Sequence, residues 1–344
     1  MVEDLSCREN FAGFTINYGL GGHFVVDKYE AKDPHGQNCV LRVFRDWKAQ
    51  DPKTQLIGGG YEVKLSDSRW TQHFPEDHKT QGAKGVGVDE ETGNRFEYFQ
   101  NRLSITEDLS GVPGFPEIVA AGAYEGHLYF ATKWIEGQDL RHKIKYSEMN
   151  SDEKLKIMHQ LVLPIERMHS RNLLHNDVKP SNYILGNDGK LVLMDFDLGL
   201  YGERRIFDGK SVLCHEAKKS RVGTIEYLAP EITTVDLGIG FTEFSDVWSG
   251  LGVTPYLLMT KGLPFIGRDI SELCGVIRWE NPTRIERLLT PGFPQRGRVS
   301  DLVHWCLEKD WKKRPRAVQF RKELEGILTE VGIDWNRKSN IKVV

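Results

Sequence analysis

No two cysteines of this 344-residue chain stand close enough in sequence to work as a pair. Cys7, Cys39, Cys214, Cys274 and Cys306 are odd in number, widely spaced and without a C-x-x-C motif, which argues against a disulfide framework or a zinc knuckle and for a reducing compartment. Long apolar runs are missing too. The longest, near Val253 to Met259, falls far short of the roughly 20 residues that cross a bilayer, so no membrane partner is expected. The amino terminus, MVEDLSCREN, has neither the basic start nor the apolar core of a secretion signal. A surplus of one charge is likewise absent: 46 Lys and Arg against 49 Asp and Glu give a net charge of -3, which excludes the global basic field of a nucleic-acid binder. A cytoplasmic or nuclear protein is expected, long enough for about two domains with separate cores.

Apolar and polar positions alternate from Phe11 to Asp46 with a Pro-His-Gly break at 34–36, which predicts three strands joined by turns. Residues 48–94 are polar, carry three consecutive glycines at 58–60 and show no sustained periodicity; they are expected to form an inserted, partly disordered loop. One helix is predicted over 95–109 and two strands over Ile118 to Ile135, broken at Glu125-Gly126. From Ser151 onward helices dominate. Asn150 followed by Glu153 suggests a capping box, ahead of Leu155, Met158, Leu161, Val162, Ile165 and Met168 at helical spacing.

The densest chemistry lies in His175-Asn176-Asp177-Val178-Lys179-Pro180-Ser181-Asn182, followed by the apolar strand Leu191 to Met194 and then Asp195-Phe196-Asp197. Transfer of a phosphoryl group from ATP needs a carboxylate to orient the attacking hydroxyl, and oxygen ligands to hold Mg²⁺ against the triphosphate. Asp177, Asn182 and Asp195 supply those groups. Singly, each reads as well as a turn residue; their joint order outweighs that reading.

This order resembles the catalytic loop H-R-D-L-x-x-x-N and the metal motif D-F-G of the eukaryotic-type protein kinases, and the resemblance runs over nearly the whole chain. It implies an α+β, two-lobed protein-kinase-like fold: a kinase domain over 13–330, with a small β-rich N-lobe at 13–135 carrying the 48–94 insertion, a larger helical C-lobe at 136–330, and a tail at 331–344. It implies that Asp177 is the catalytic base, that Lys179 steadies the transferred group, and that Asn182 and Asp195 are metal ligands for ATP and Mg²⁺. Lys179-Pro180 is similar to the serine/threonine branch, so a protein with a Ser or Thr acceptor is the expected partner. Gly223 to Glu231 resembles the substrate-docking loop with its A-P-E motif, and Asp246 to Gly250 the central buried helix. Glu231 should pair with Arg314.

In the small lobe the resemblance makes Gly19, Gly21 and Gly22 the backbone cover of the ATP phosphates, with Val26 beside them, and Phe24 in place of the third glycine. Cys39 to Phe44 is similar to the V-A-I-K strand, with Arg42 where a lysine holds the α and β phosphates. Arginine presents a wider planar fork and does not replace lysine freely. Arg102 falls where the partner glutamate of that lysine is expected, and would repel Arg42. Glu97 and Glu107 lie five residues away, about 140° around the helix, so neither substitutes without a shift of register; Lys28 and Lys64 are the candidate amines for the missing lysine, with a solvated surface lysine as the default reading of each. Thr132 becomes the gate of the adenine pocket, Lys133, Trp134 and Ile135 the hinge, and Asp139 a ribose contact. Asn176 replaces an arginine that binds an activating phosphate in many relatives, so activity should not need a phosphate at Ser211 or Ser220. Asp197, in place of the motif's glycine, reads best as a turn residue.

Two functions follow from this pattern: a serine/threonine protein kinase using Mg-ATP, or a pseudokinase that scaffolds or regulates a partner. A small-molecule kinase is disfavoured by the Gly223 to Glu231 loop.

Overall fold

The alternation that begins at Phe11 builds an antiparallel sheet in the computed structural model, which describes residues 10–23, 26–44, 61–63, 95–124, 127–215, 223–233 and 240–335. The chain divides into two units, residues 1–112 with 116–135 and residues 113–115 with 136–344. In the first, β1 (Asn10–Phe11), β2 (Phe14–His23), β3 (Val26–Lys32), β4 (Asn38–Phe44), β5 (Tyr61–Val63), α1 (Arg95–Leu109), β6 (Ile118–Tyr124) and β7 (His127–Lys133) follow in chain order. The sheet order is β1-β2-β3-β4-β7-β6-β5. Successive strand residues face opposite sides. Leu41 and Val43 therefore join Phe11, Phe14, Tyr29 and Tyr129 in one apolar cluster, while Phe44 joins Val26, Leu128 and Phe130 in another, which Phe99 and Leu103 of α1 complete.

The 48–94 stretch, expected to be loop throughout, contributes β5, which pairs with β6 through Tyr61↔Ala123 and Val63↔Ala121. Three residues are too few for alternation to register in sequence. Residues 58–60 and Lys64 lie outside the described residues, as do Phe24, Ser220 and Cys7. Cys39, Cys214, Cys274 and Cys306 are all buried.

The second unit runs through β8 (Gly137–Asp139), α2 (Leu140–Tyr146), α3 (Ser151–Ser170), β9 (Leu173–Leu174), β10 (Tyr183–Gly186), β11 (Leu191–Leu193), β12 (Leu200–Tyr201), β13 (Glu203–Phe207), β14 (Lys210–His215), α4 (Pro230–Thr233), β15 (Phe241–Thr242), α5 (Glu243–Val247), α6 (Thr254–Thr260), α7 (Ile270–Trp279), α8 (Arg296–Cys306) and α9 (Ala317–Glu330). A wider π-type turn, Trp248–Val253, joins α5 to α6, and every residue from Phe241 to Tyr256 is buried. Gly250 sits where this segment passes α3 and the loop before β10: an added Cβ would come within 2.5 Å of Ile165 and 2.7 Å of Val178. Among the described residues no helix is long and apolar enough to cross a membrane.

The capping box at α3 is present. Asn150 Oδ1 accepts from the Glu153 amide at 2.9 Å and the Glu153 carboxylate accepts from the Asn150 amide at 3.0 Å. The six apolar residues of its predicted stripe are each no more than 1% exposed. Asn150→Ala is expected to lower stability by about 1 kcal/mol, because the Glu153 amide loses an acceptor that water replaces only in part. Urea denaturation at unchanged m-value is the check; no shift in midpoint would show that packing of the stripe alone holds α3.

Candidate active site

Each candidate residue of the second unit is placed by a short strand or a buried anchor. Asn182 immediately precedes β10, and Asp195 is the second residue after β11, with Met194 between. The two strands pair antiparallel with Tyr183↔Leu193, and the Met194 amide donates to the Asn182 carbonyl at 2.8 Å, so the hairpin brings these two positions side by side. The His175 ring lies 3.0 Å from the Met194 carbonyl and 5.1 Å from the Phe196 ring, which also packs on Phe115 at 5.9 Å. Asp197 stands inside a turn closed by Gly199 N–H donating to the Phe196 carbonyl at 2.9 Å, the turn role expected for it.

The loop carrying Asp177 hangs from Asp246 of α5, a residue with no exposure. The amides of His175 and Asn176 each donate to its carboxylate at 2.9 Å, and the His169 ring approaches it at 3.1 Å. A buried carboxylate that accepts several hydrogen bonds is satisfied and rigid. Asn176 itself adopts a left-handed backbone with φ of 65°, which asparagine tolerates better than most residues.

Asp177 is held on both oxygens. Oδ1 accepts from the Thr224 amide at 3.1 Å and the Thr224 hydroxyl at 2.9 Å; Oδ2 accepts from Lys179 Nζ at 2.6 Å and Asn182 Nδ2 at 3.3 Å. Lys179 also donates to Thr224 Oγ1 at 2.7 Å. An ionised carboxylate offers about four acceptor positions, and four donors fill them. Gly223 lets Thr224 come this close. Its φ of 121° is open to glycine, and a Cβ there would meet Leu228 at 2.9 Å and the Asn176 carbonyl at 3.2 Å. Nearby Tyr227, which lines the same recess as Asp177 and Thr224, has its phenol pushed up to about 12 by burial.

Thr224 and Asp246 thus join the site through contacts that sequence motifs do not assign: Thr224 lies 47 positions from the carboxylate it binds. A threonine directly after a glycine in the Gly223 to Glu231 stretch is the only signal for it. The Asn182 amide nitrogen is spent on Asp177, with a further bond to its carbonyl at 2.9 Å. Asn182 Oδ1 and the Asp195 carboxylate are then the hard oxygen donors that suit Mg²⁺.

In the first unit, Gly19, Gly21 and Gly22 belong to β2, opposite Tyr29, Lys28 and Asp27 of β3 with a register irregularity between Gly19 and Gly21. A Cβ at Gly19 would meet nothing within 4 Å. Val26 is fully buried beside Phe44. Arg42 is 6% exposed; it donates to Thr132 Oγ1 at 3.2 Å and its guanidinium lies 5.5 Å from the centre of the Phe130 ring. Arg102 lies instead over the Tyr98 ring at 4.6 Å, so the two cations have different aromatic partners. Burial, and then Asp108, pushes the Glu107 carboxyl up to about 7. Lys28 pairs with Arg42 across β3 and β4. Lys133 is exposed, with its amide donating to the Glu117 carbonyl at 2.8 Å, and Trp134 donates to the Asn38 carbonyl at 3.1 Å; Ile135 is half-buried. In the second unit Asp139 caps α2 by accepting from the His142 amide at 2.7 Å.

A β-rich unit and a helical unit carrying this loop form the two-lobed α+β fold of the protein kinases. Residues 79–323 match the family model described as protein kinase domain, and the chain belongs to the protein kinase family. It is 34% identical over 217 residues, 62% of its length, to calcium-dependent protein kinase 6 of Plasmodium berghei, of which that stretch covers 14%. It is 33% identical over 155 residues, 44% of its length, to ribosomal protein S6 kinase alpha-1 of Rattus norvegicus, covering 19% of that protein. To CBL-interacting serine/threonine-protein kinase 15 of Arabidopsis thaliana it is 32% identical over 161 residues, 47% of this chain and 36% of the relative. The matched stretches therefore cover well under half of each of these relatives.

Proposed function

We propose that the chain transfers the γ-phosphoryl group of ATP to serine or threonine hydroxyls of other proteins. The observation that carries the reading is the filled Asp177 carboxylate, bonded to Lys179, Thr224 and Asn182 and suspended from buried Asp246. ATP bound with Mg²⁺ through Asn182 and Asp195 supplies the phosphoryl group and neutralises its charge. Asp177 aligns the incoming hydroxyl and takes its proton. The Thr224 hydroxyl is the donor that makes room, since it can rotate off Oδ1 while still accepting from Lys179. Lys179 then keeps one positive charge beside the reacting oxygens.

Domain limits of 13–330 and the nucleotide roles of Gly19, Gly21, Gly22, Val26, Thr132, Lys133, Ile135 and Asp139 belong to this same reading. Arg42 is its phosphate-holding cation. Arg42→Met is expected to raise the KM for Mg-ATP about 10- to 100-fold, the loss of a charge-assisted bond of about 1.5–3 kcal/mol, while Arg42→Lys keeps most of the affinity. Titrating ATP in a peptide-phosphorylation assay checks this. An unchanged KM in the methionine variant would assign Arg42 to packing alone.

A second reading, a pseudokinase scaffold, is favoured by the bond between Arg42 and Thr132, which turns the cation onto its own sheet. Calorimetric titration with ATP separates the two. The kinase reading expects binding that depends on Mg²⁺ and weakens in Asp195→Asn; binding indifferent to the metal and to that change supports the scaffold.

A further inference from the structure

β13 and β14 form a tight hairpin, with Phe207↔Lys210 closing a two-residue turn of Asp208 (φ 48°) and Gly209 (φ 77°). In such a turn the closing residues exchange both backbone bonds. Antiparallel pairs that exchange bonds alternate with pairs that do not, so Glu203, Arg205 and Phe207 are bonded to β14, whereas the amides and carbonyls of Arg204 and Ile206 point away from it. The same alternation turns the Leu213 amide to the far side of β14, where it donates to Glu243 at 3.1 Å. In the sheet order β13-β14-β15, β13 is an outer strand, and among the described residues no strand pairs with its outer side.

The hairpin is a stiff support for this edge. Val212, Leu213 and Cys214 are at most 2% exposed. Leu213 shares a cluster with Leu174, Leu200 and Phe241, and Val212 shares one with Phe244 and Trp311. Phe207 stands edge-on to Trp311 at 5.5 Å. β13 itself is different: its first four residues are exposed, and Ile206 is 71% exposed. Outward backbone groups beside an exposed apolar side chain are a template for an added strand.

Charge selects the occupant. Glu203 lies 3.6 Å from Arg205, and Asp208 pairs with Lys312. Buried Glu243 serves two cations at once, Arg204 at 3.8 Å and Arg316 at 3.6 Å. With Lys210 exposed at the turn, the cations outnumber these carboxylates and leave the edge positive. A second copy of the chain is a poor fit. Two-fold antiparallel pairing through Arg204 and Ile206 of both copies sets each Arg205 directly opposite its counterpart, and like charges so placed repel. An acidic strand meets the same arginines with carboxylates.

We infer that the outer edge of β13 is a docking site for an extended acidic segment of a partner protein. The segment joins the sheet through the backbone of Arg204 and Ile206, sets its carboxylates against Arg204 and Arg205, and covers Ile206. Docking of this kind needs no step of phosphoryl transfer, so it is measured as binding.

The full chain is titrated calorimetrically with a short synthetic peptide of alternating Glu and Val, and with the same peptide carrying Lys for Glu; amide exchange is followed on the same samples. The acidic peptide is expected to bind at least about tenfold more tightly than the basic one, with an advantage that shrinks as salt is raised. Binding should slow exchange of the Arg204 and Ile206 amides at least about fivefold and leave Arg205 and Phe207, already bonded to β14, nearly unchanged. Ile206→Pro removes an outward donor where an edge strand accepts proline, and Arg205→Glu reverses a charge; each should weaken binding at least about tenfold. Should the proline loosen the hairpin, Arg205→Glu and the exchange pattern of the parent decide. An acidic peptide that fails to bind, binds no better than the basic one, or binds equally to both variants would overturn the inference. A dimer of the chain alone that either substitution dissolves would also overturn it, giving the edge to a second copy.

Discussion

Replacing Arg314 with alanine is expected to destabilise the helical unit by about 3–5 kcal/mol, read as a fall in the urea midpoint. Its guanidinium donates to both oxygens of Glu231 at 2.8 Å and to the Phe244 carbonyl at 2.9 Å, and lies over the Trp248 ring at 4.8 Å. The two side chains are 0% and 2% exposed. Removal of the cation strands a carboxylate in a medium that cannot solvate it, which costs more than the ion pair contributes. The double change Arg314→Met with Glu231→Leu should recover much of the loss, since neither charge is then buried alone. A single variant that melts like the parent would show that water reaches Glu231. Glu231 is the second residue of α4, at the end of the Gly223 to Glu231 stretch that carries Thr224, so activity should fall with stability in the single variant.

Asp177→Asn is expected to act on rate rather than on the fold. The amide retains an oxygen for the Thr224 donors but carries no charge for Lys179 and cannot take a proton from a hydroxyl. Loss of a general base of this kind lowers kcat by about 10²–10⁴-fold. Initial rates at saturating Mg-ATP, set beside the melting temperature of the same sample, separate the two effects. A rate within a few-fold of the parent would remove Asp177 from the chemistry.

Much of this architecture is legible in the sequence because its signals are local. The strands of the first unit, the helix at 95–109 and the Asn150 cap each rest on periodicity or on a pair a few residues apart. The Glu231–Arg314 pair, 83 positions apart, was reachable only through family resemblance. What escaped is non-local or too short to have a period. β5 has three residues. β13, Glu-Arg-Arg-Ile-Phe, shows no alternation because its first four residues are exposed on both faces, as an edge strand allows. Its clearest mark was Asp208-Gly209, a hairpin-turn dipeptide between two strand-like runs. Of the two arginines expected to repel each other, Arg42 lies against the Phe130 ring and Arg102 over the Tyr98 ring, aromatic partners that no local pattern in the sequence assigns.

Incorporation of phosphate from Mg-ATP into a generic Ser/Thr-rich protein, by the purified chain beside Asp177→Asn made the same way, tests the central claim most directly. The account predicts label on serine or threonine with the parent and its near-complete loss in the variant. Equal incorporation by both, or none by a parent shown to be folded, would contradict it.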